Sequence, residues 1–364
     1  MQWLEDVLRR GWHSHRPAVE VLTAAGVVAR TLSYADLLAA AAGLAADLTA
    51  IVSHHQLRVL IVAANSPEHI VADLATTIAG AVTTALSPGS DEAELRYTAA
   101  GVDVVLCDSD GMVTVNRLGL DRPIRTVDCA GRPAGDAPEL AGDSDDARKL
   151  VVCPNAEQEL ALPCGAIDEV LRAVRLRAPT GVWRRYLCLT PLHTLTEQVF
   201  VYLTLQHRGT VRLGSSATVN LANAEATAAQ LTAPVAEALE AVLKRRPELD
   251  GEDLCQVLFG APTAPYLVCF DPLAPTAELA ARGVPVHRGF AVDGVYPLTL
   301  AAQGTPGPGV GEPLSHIWLK VGENGELMVK SKSKLIIPWR PAEDGWLRLG
   351  IQGDVDPAGR IHIA

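Results

Sequence analysis

Residues 58–81 read RVLIVAANSPEHIVADLATTIAGA, and the order of signals along them decides the fold class. Val59 to Ala64 is an unbroken apolar run, as expected of a parallel strand covered on both faces. Ser66, Pro67 and Glu68 follow as an N-cap, a proline at the first helical position and an acidic first turn, so a helix starts there. It is predicted to run to about Ala79 and to stop at Gly80. Strand, turn and helix in this order open a strand–helix–strand unit.

The same signals repeat on either side. Ser33 caps a helix through Leu48, with Asp36 three residues on as in a capping box. Ser90 with Asp91, Glu92 and Glu94 starts another helix, and Val102 to Cys107 is the next strand. Residues 130–148 are a polar, Gly- and Pro-rich connection. A second series follows, with Leu150–Cys153 as strand, Ala166–Leu176 as helix, Tyr186–Leu189 as strand and Thr196–Gln206 as helix. Pro234–Leu243 is read as helix and Cys255–Phe259 as strand. Beyond about residue 300, turn signals at Gly304–Gly309, Glu323–Gly325, Asp344–Gly345 and Pro357–Gly359 separate short alternating runs. The expected architecture is α/β: two packed subdomains with mostly parallel sheets, over 1–148 and 149–300, and a small antiparallel β section over 301–364.

Composition narrows the function classes. The chain has 364 residues, 48% hydrophobic and 20% charged, which is globular and not disordered. A net charge of −11 argues against a nucleic-acid footprint and against docking on an anionic membrane. No stretch reaches the ~18–20 apolar residues of a membrane span. The N-terminus shows no basic region followed by an apolar core, so no signal peptide is read there. Seven cysteines, an odd number without a CxxC, read as reduced core thiols of a cytoplasmic protein.

Several blocks, in order, resemble the N-terminal portion of the adenylate-forming superfamily of acyl- and aryl-CoA ligases, luciferases and adenylation domains. Leu32–Leu37 resembles its "LTYxEL" opening helix, and Val62–Glu68 with Ala72–Ala75 and Ala79–Ala81 resembles "ANSPE…ADLA…AGA". Thr190–His193 with Gln206–Val211 resembles "LPLxH…GAxV", and Phe259–Pro262 resembles "GGAPL". Val310–Leu314, Gly325–Leu327 and Asp344–Arg348 resemble "VGxPLP", "GEL" and "DGWFRTGD". The resemblance implies the fold of the family's large domain, with a pocket for an acyl or aryl carboxylate beside ATP. It also implies a C-terminal lid domain beyond a hinge; the chain stops at Ala364, near that hinge, so the lid is expected to be absent.

The resemblance fails where the family's chemistry is concentrated. The phosphate loop "TSGTTGxPKG" uses glycine amides and a lysine to hold ATP. The matching place, Cys153 to Cys164, has no Gly, Ser, Thr or Lys, and carries Glu157 and Glu159 instead. "YGxTE" falls at Phe290–Gly294, where Asp293 replaces Thr and Gly294 replaces the Mg²⁺-binding Glu. In "RTGD", Leu349 and Ile351 stand at the Thr and Asp positions, and Asp354 lies three residues beyond. No catalytic residue, metal ligand or cofactor is therefore expected, with ATP and Mg²⁺ entering only if the chain is a rewired ligase.

The remaining candidates line a ligand pocket by resemblance: His193, Gly260, Ala261, Pro262, Phe290, Ala291 and Asp293. Gly307–Gly311 neither follows a strand nor opens a helix, which excludes a nucleotide loop. Lys330, Lys332 and Lys334 alternate on one solvated edge face. His54 and His55 have no partner at metal-ligand spacing, and Trp183–Arg185 is read as structural. No Gly-x-Ser-x-Gly elbow or Cys–His pair supports a hydrolase. The reading is a catalytically degenerate acyl-CoA synthetase-like protein that binds a small carboxylate or acyl ligand or serves as a scaffold. The alternative is an active AMP-forming ligase with a rewired ATP site. Partners are a small-molecule ligand, a second copy or another protein, with no nucleic acid and no membrane span.

Overall fold

The computed structural model describes residues 1–51, 56–130, 136–142, 146–153, 158–214, 220–292, 297–301, 309–331, 345–357 and 359–363. Among these the strands form sheets of nine, six and four. The six-stranded sheet runs Ile124–Thr126, Val104–Cys107, Arg58–Val62, Val82–Leu86, Ala147–Cys153 and Gln158–Pro163, parallel except for the last pair. The central six strands of the nine are parallel: Val286–Phe290, Tyr266–Cys269, Ala228–Leu231, Arg185–Cys188, Thr210–Leu213 and Pro17–Leu22. Val28–Ser33 closes one edge, and Thr299–Leu300 with Glu312–Pro313 the other, all antiparallel. The four-stranded sheet, Ile317–Val321, Glu326–Ser331, Leu347–Val355 and Ile361–Ile363, is antiparallel throughout.

Alternate residues along the strands divide the interior into layers. Val59, Ile61, Val104 and Leu106 point into the main core, while Leu60, Val62, Val105 and Cys107 face Leu95, Ala99, Val115 and Leu118 of two outer helices. In the nine-stranded sheet Tyr186 and Cys188 face the main core, and Leu187 and Leu189 face the helices Ala233–Arg245 and Gly251–Phe259. Helices Tyr34–Thr49, Pro67–Ile78 and Leu195–Gln206 contribute to the core between the two sheets. That position explains why Pro67–Ile78 is buried on nearly every side.

The start signals operate as their chemistry requires. Ser66 Oγ accepts from His69 N at 3.2 Å, and Ser33 Oγ accepts from Asp36 N at 3.2 Å while donating to the Asp36 carboxylate at 2.6 Å. At the helix Glu92–Ala100 the cap is Asp91, whose Oδ1 accepts from Ala93 N at 2.8 Å. Two readings change. Cys255–Phe259 belongs to a helix, Gly251–Phe259, not a strand: Asp250 precedes it, Glu252 and Asp253 fill its first turn, and Gly260 ends it at φ 66°. Leu254, Cys255, Leu258 and Phe259 are its buried face at helical spacing. Lys330 does not lie on an edge, because its strand is paired on both sides.

One charge pair ties the layers together. Asp73 lies in a helix with no solvated face, and its carboxylate accepts from the Lys149 ammonium and the Tyr202 hydroxyl. Lys149 comes from the six-stranded sheet and Tyr202 from the helix behind the nine-stranded one. Trp3 of the first helix stacks on Tyr202 with centroids 4.2 Å apart. Replacing one member of such a pair strands a buried charge, which costs about 3–5 kcal/mol. Lys149→Met should therefore lower the urea-unfolding free energy by about that amount, and adding Asp73→Leu should recover most of it. A single variant within about 1 kcal/mol of the parent would show that the pair does not join the layers.

Candidate functional site

The carboxyl ends of Arg58–Val62 and Arg185–Cys188 meet at a set of buried polar groups. Asp108 caps the helix Ser109–Leu118 through Gly111 N at 2.8 Å, and its other oxygen accepts from Ala64 N and Ser66 Oγ, both at 2.9 Å. This holds the turn that presents Asn65. The Asn65 amide crosses to the other sheet, donating to Thr190 O at 2.9 Å and accepting from Leu192 N at 2.8 Å. Gln198 donates to Leu192 O at 3.1 Å from below. The loop carrying His193 is thus fixed from both sides.

His193 is half-buried and neutral: burial lowers its pKa to about 4, with repulsion from His69 adding to it. His69 is 2% exposed, its own pKa lowered chiefly by burial, and its Nδ1 lies 3.3 Å from Ala64 O. Neither ring offers a cation to a carboxylate at neutral pH. Glu197, on the first turn of the next helix, is fully buried, and burial raises its pKa to about 8. It accepts from the Tyr186 hydroxyl at 2.8 Å. Around neutral pH it is an uncharged carboxylic acid. Burial likewise pushes Cys107 and Cys129 up to about 12, so these thiols are inert.

The residues expected at a pocket come from several elements. Phe290 ends its strand at 3% exposure, receives a hydrogen bond from Leu298 N at 2.8 Å, and belongs to the main core, against which Ala291 packs. Leu349 and Ile351 pack against the same core. Phe270 crowds Gly289, where an added Cβ would lie 2.4 Å from its ring. Gly260, Ala261 and Pro262 instead follow Phe259, which packs on the opposite face of the sheet. Gly260 abuts the Ala222 carbonyl so closely that a Cβ would lie 2.2 Å from it. Asp293 and Gly294 lie outside the described residues, as do His54, His55, Lys332 and Lys334. Asp354 is exposed and pairs in register with His362 in the four-stranded sheet.

Where the phosphate loop should be, the chain turns back on itself. Ala147–Cys153 and Gln158–Pro163 pair antiparallel up to the register Cys153↔Gln158. Only residues 154–157 join the two strands, against the ten positions of the implied motif. Those residues, Pro-Asn-Ala-Glu in sequence, lie outside the described set. On the opposite face of the nine-stranded sheet, Leu187, Leu189, Leu231, Phe259 and Leu267 line an apolar cavity of about 10 Å³. That is room for about one water. A larger polar groove of about 360 Å³ lies at the surface between Gln2, Asp6, Asp168, Glu169 and Arg172. No group of three His, Cys, Asp or Glu is placed to hold a metal among the described residues. None of their helices is long and apolar enough to cross a membrane.

Residues 11–163 match the AMP-binding enzyme family. Among solved structures, unliganded O-succinylbenzoate coenzyme A synthetase (MenE) from Bacillus subtilis superposes with a TM-score of 0.76 at 18% identity, covering 100% of this chain and 78% of that one. Apo MatB from Rhodopseudomonas palustris gives 0.78 at 19%, covering 99% and 77%. The N-terminal domain of FACL13 from Mycobacterium tuberculosis gives 0.78 at 16%, covering 100% and 98%. At these identities the likeness establishes the fold. No curated protein sequence matches the chain.

Sequence reading missed Asn65, Asp73 and Glu197 as organising residues. The first two lie in recognisable blocks, but their partners are 125 and 76 residues away. Glu197 carries a pH signature. Unfolded, it ionises near its ordinary 4.5; folded, it holds its proton to about 8. Between those values the folded state binds the extra proton, so its stability falls as pH rises. Glu197→Gln should be close to the parent near pH 4.5 and more stable than it near pH 8. The gain should be at least about 1.4 kcal/mol, the worth of one pKa unit. Identical pH dependence of urea unfolding in the two proteins would contradict the assignment.

Proposed function

We propose that this chain, which carries the large-domain fold of the adenylate-forming acyl-CoA synthetases, is a non-catalytic member of that group acting as a scaffold or ligand-binding protein. The observation that carries the reading is the hairpin at Cys153↔Gln158. Four connecting residues without glycine, serine, threonine or lysine offer neither a cradle of amides nor a cation to a triphosphate. Each charge-assisted hydrogen bond so lost is worth ~1.5–3 kcal/mol. Three of them amount to ~4.5–9 kcal/mol, or about three to six orders of magnitude in affinity.

Two features support the same reading. Leu349 and Ile351, at the Thr and Asp positions of "RTGD", are packed against the core, so no carboxylate is offered there to a ribose. The neutral histidines leave no cation to draw a carboxylate into the junction. Buried, high-pKa thiols fit a reducing, cytoplasmic setting.

Calorimetric titration of the purified chain with Mg·ATP should give no saturable heat up to millimolar concentration. Saturable binding in the micromolar range would overturn the reading and return the chain to the ligases.

A further inference from the structure

Three neighbouring parallel strands of the nine-stranded sheet, Arg185–Cys188, Thr210–Leu213 and Pro17–Leu22, start at the end of the sheet away from the Asn65 crossing. Each is entered through basic residues: Arg184 and Arg185, His207 and Arg208, and His15 and Arg16. The entries are tied to one another. Tyr34 N donates to Arg16 O at 3.0 Å, and the Tyr34 hydroxyl donates to Gly209 O at 2.7 Å. Thr210 Oγ1 donates to Pro17 O at 3.0 Å. Gly209 lies so close to Trp183 O that a Cβ there would stand 1.8 Å from it. The charges of Arg208 and Arg16 both act on the buried Tyr34 hydroxyl, so the two guanidinium groups converge from different segments. Glu225 takes Arg185 at 2.5 Å, whereas Arg16, Arg184 and Arg208 have no carboxylate partner among the described residues.

Arg208 distinguishes this rim from ordinary surface charge. It follows the helix Leu195–Gln206 at φ 56°, the left-handed stop that glycine usually supplies, so an arginine is held there against backbone preference. Its Nε is buried with no hydrogen-bond partner, a donor left without an acceptor. The carbonyl end of that helix favours a nearby cation, but Arg16 and Arg184 come from other elements. We propose that this rim docks a short segment of a partner protein rich in aspartate and glutamate, laid across the three strand starts. Strands stand about 4.8 Å apart, so the three entries span about 10 Å. Carboxylates at alternate positions of an extended segment, ~6.5 Å apart, cover that distance and suit the fork of a guanidinium. The chain's net charge of −11 repels a long polyanion, so the complementarity is local and favours a short acidic segment over a nucleic acid. Trp12, Tyr34 and Trp183 beside the rim are buried and offer no stacking platform to a base. The proposal stands apart from the reading of the ATP site.

Fluorescence anisotropy of a labelled decaglutamate peptide, titrated with the full chain, tests this. Saturable binding that weakens with added salt is expected. Arg208→Gly should weaken it about tenfold or more, yet unfold in urea at the same or a higher concentration than the parent, because glycine suits φ 56°. Arg16→Gln should weaken binding in the same direction with unchanged circular dichroism. Arg117→Gln, which removes an exposed charge from the helix Ser109–Leu118 on the other sheet, should leave binding as it was. Absence of saturable binding, parent-like affinity in Arg208→Gly and Arg16→Gln, or an equal loss in Arg117→Gln would overturn the proposal. So would tighter binding of an oligothymidylate of equal charge, which would assign the rim to nucleic acid.

Discussion

A helix sandwiched between two sheets has no face on which to carry a charge, yet Asp73 sits in such a helix. Its carboxylate survives there because Lys149 and Tyr202 reach it from opposite layers. The requirement is reciprocal. Lys149 is 3% exposed and would be as costly without Asp73. Register follows from it: the strand bearing Lys149 is set against Thr83 of its neighbour, and the same strand leads into the hairpin at Cys153. Asn65 makes the second crossing between the sheets, at the loop that carries His193. The layers are thus joined by oriented polar contacts as well as by apolar packing.

The same interior shifts several ionisable groups beside the crossing made by Asn65. Histidines are held neutral and a glutamate is held protonated, all chiefly by burial. Burying an ionisable group without a partner selects its uncharged form, and this junction has done so repeatedly. A site for Mg·ATP is the opposite kind of object, with fixed dipoles and cations waiting for a polyanion. The short hairpin and the packed Leu349 and Ile351 belong to the same pattern.

Much of the architecture was legible in the sequence because its signals are local. Ser33, Ser66 and Pro67 announce helices through bonds made within three residues, and the apolar run before Ser66 can only be a covered strand or a buried helix. Cys255–Phe259 was misread because a short apolar run suits both periods; Asp250, Glu252, Asp253 and Gly260 were the helix signals beside it. The interleaving of the sheets was not legible. Pro17–Leu22 joins the nine-stranded sheet beside Thr210–Leu213, nearly two hundred residues on. For the site, lost residue types could be read directly, whereas Gly260–Pro262 and Phe290 were grouped by motif, and Phe259 beside the first packs in a different core cluster from Phe290. Buried polar organisers such as Glu197 look like ordinary helix residues until packing is known.

The claim at the centre of this account is that the chain cannot activate a carboxylate with ATP. The most direct measurement is exchange of labelled pyrophosphate into ATP, with Mg²⁺ and a panel of aliphatic and aromatic carboxylic acids, because it reports adenylate formation without needing the thioester step. The account predicts no exchange above a protein-free control for any acid. Exchange that depends on one particular acid would contradict it and show that the four residues after Cys153 hold a triphosphate after all.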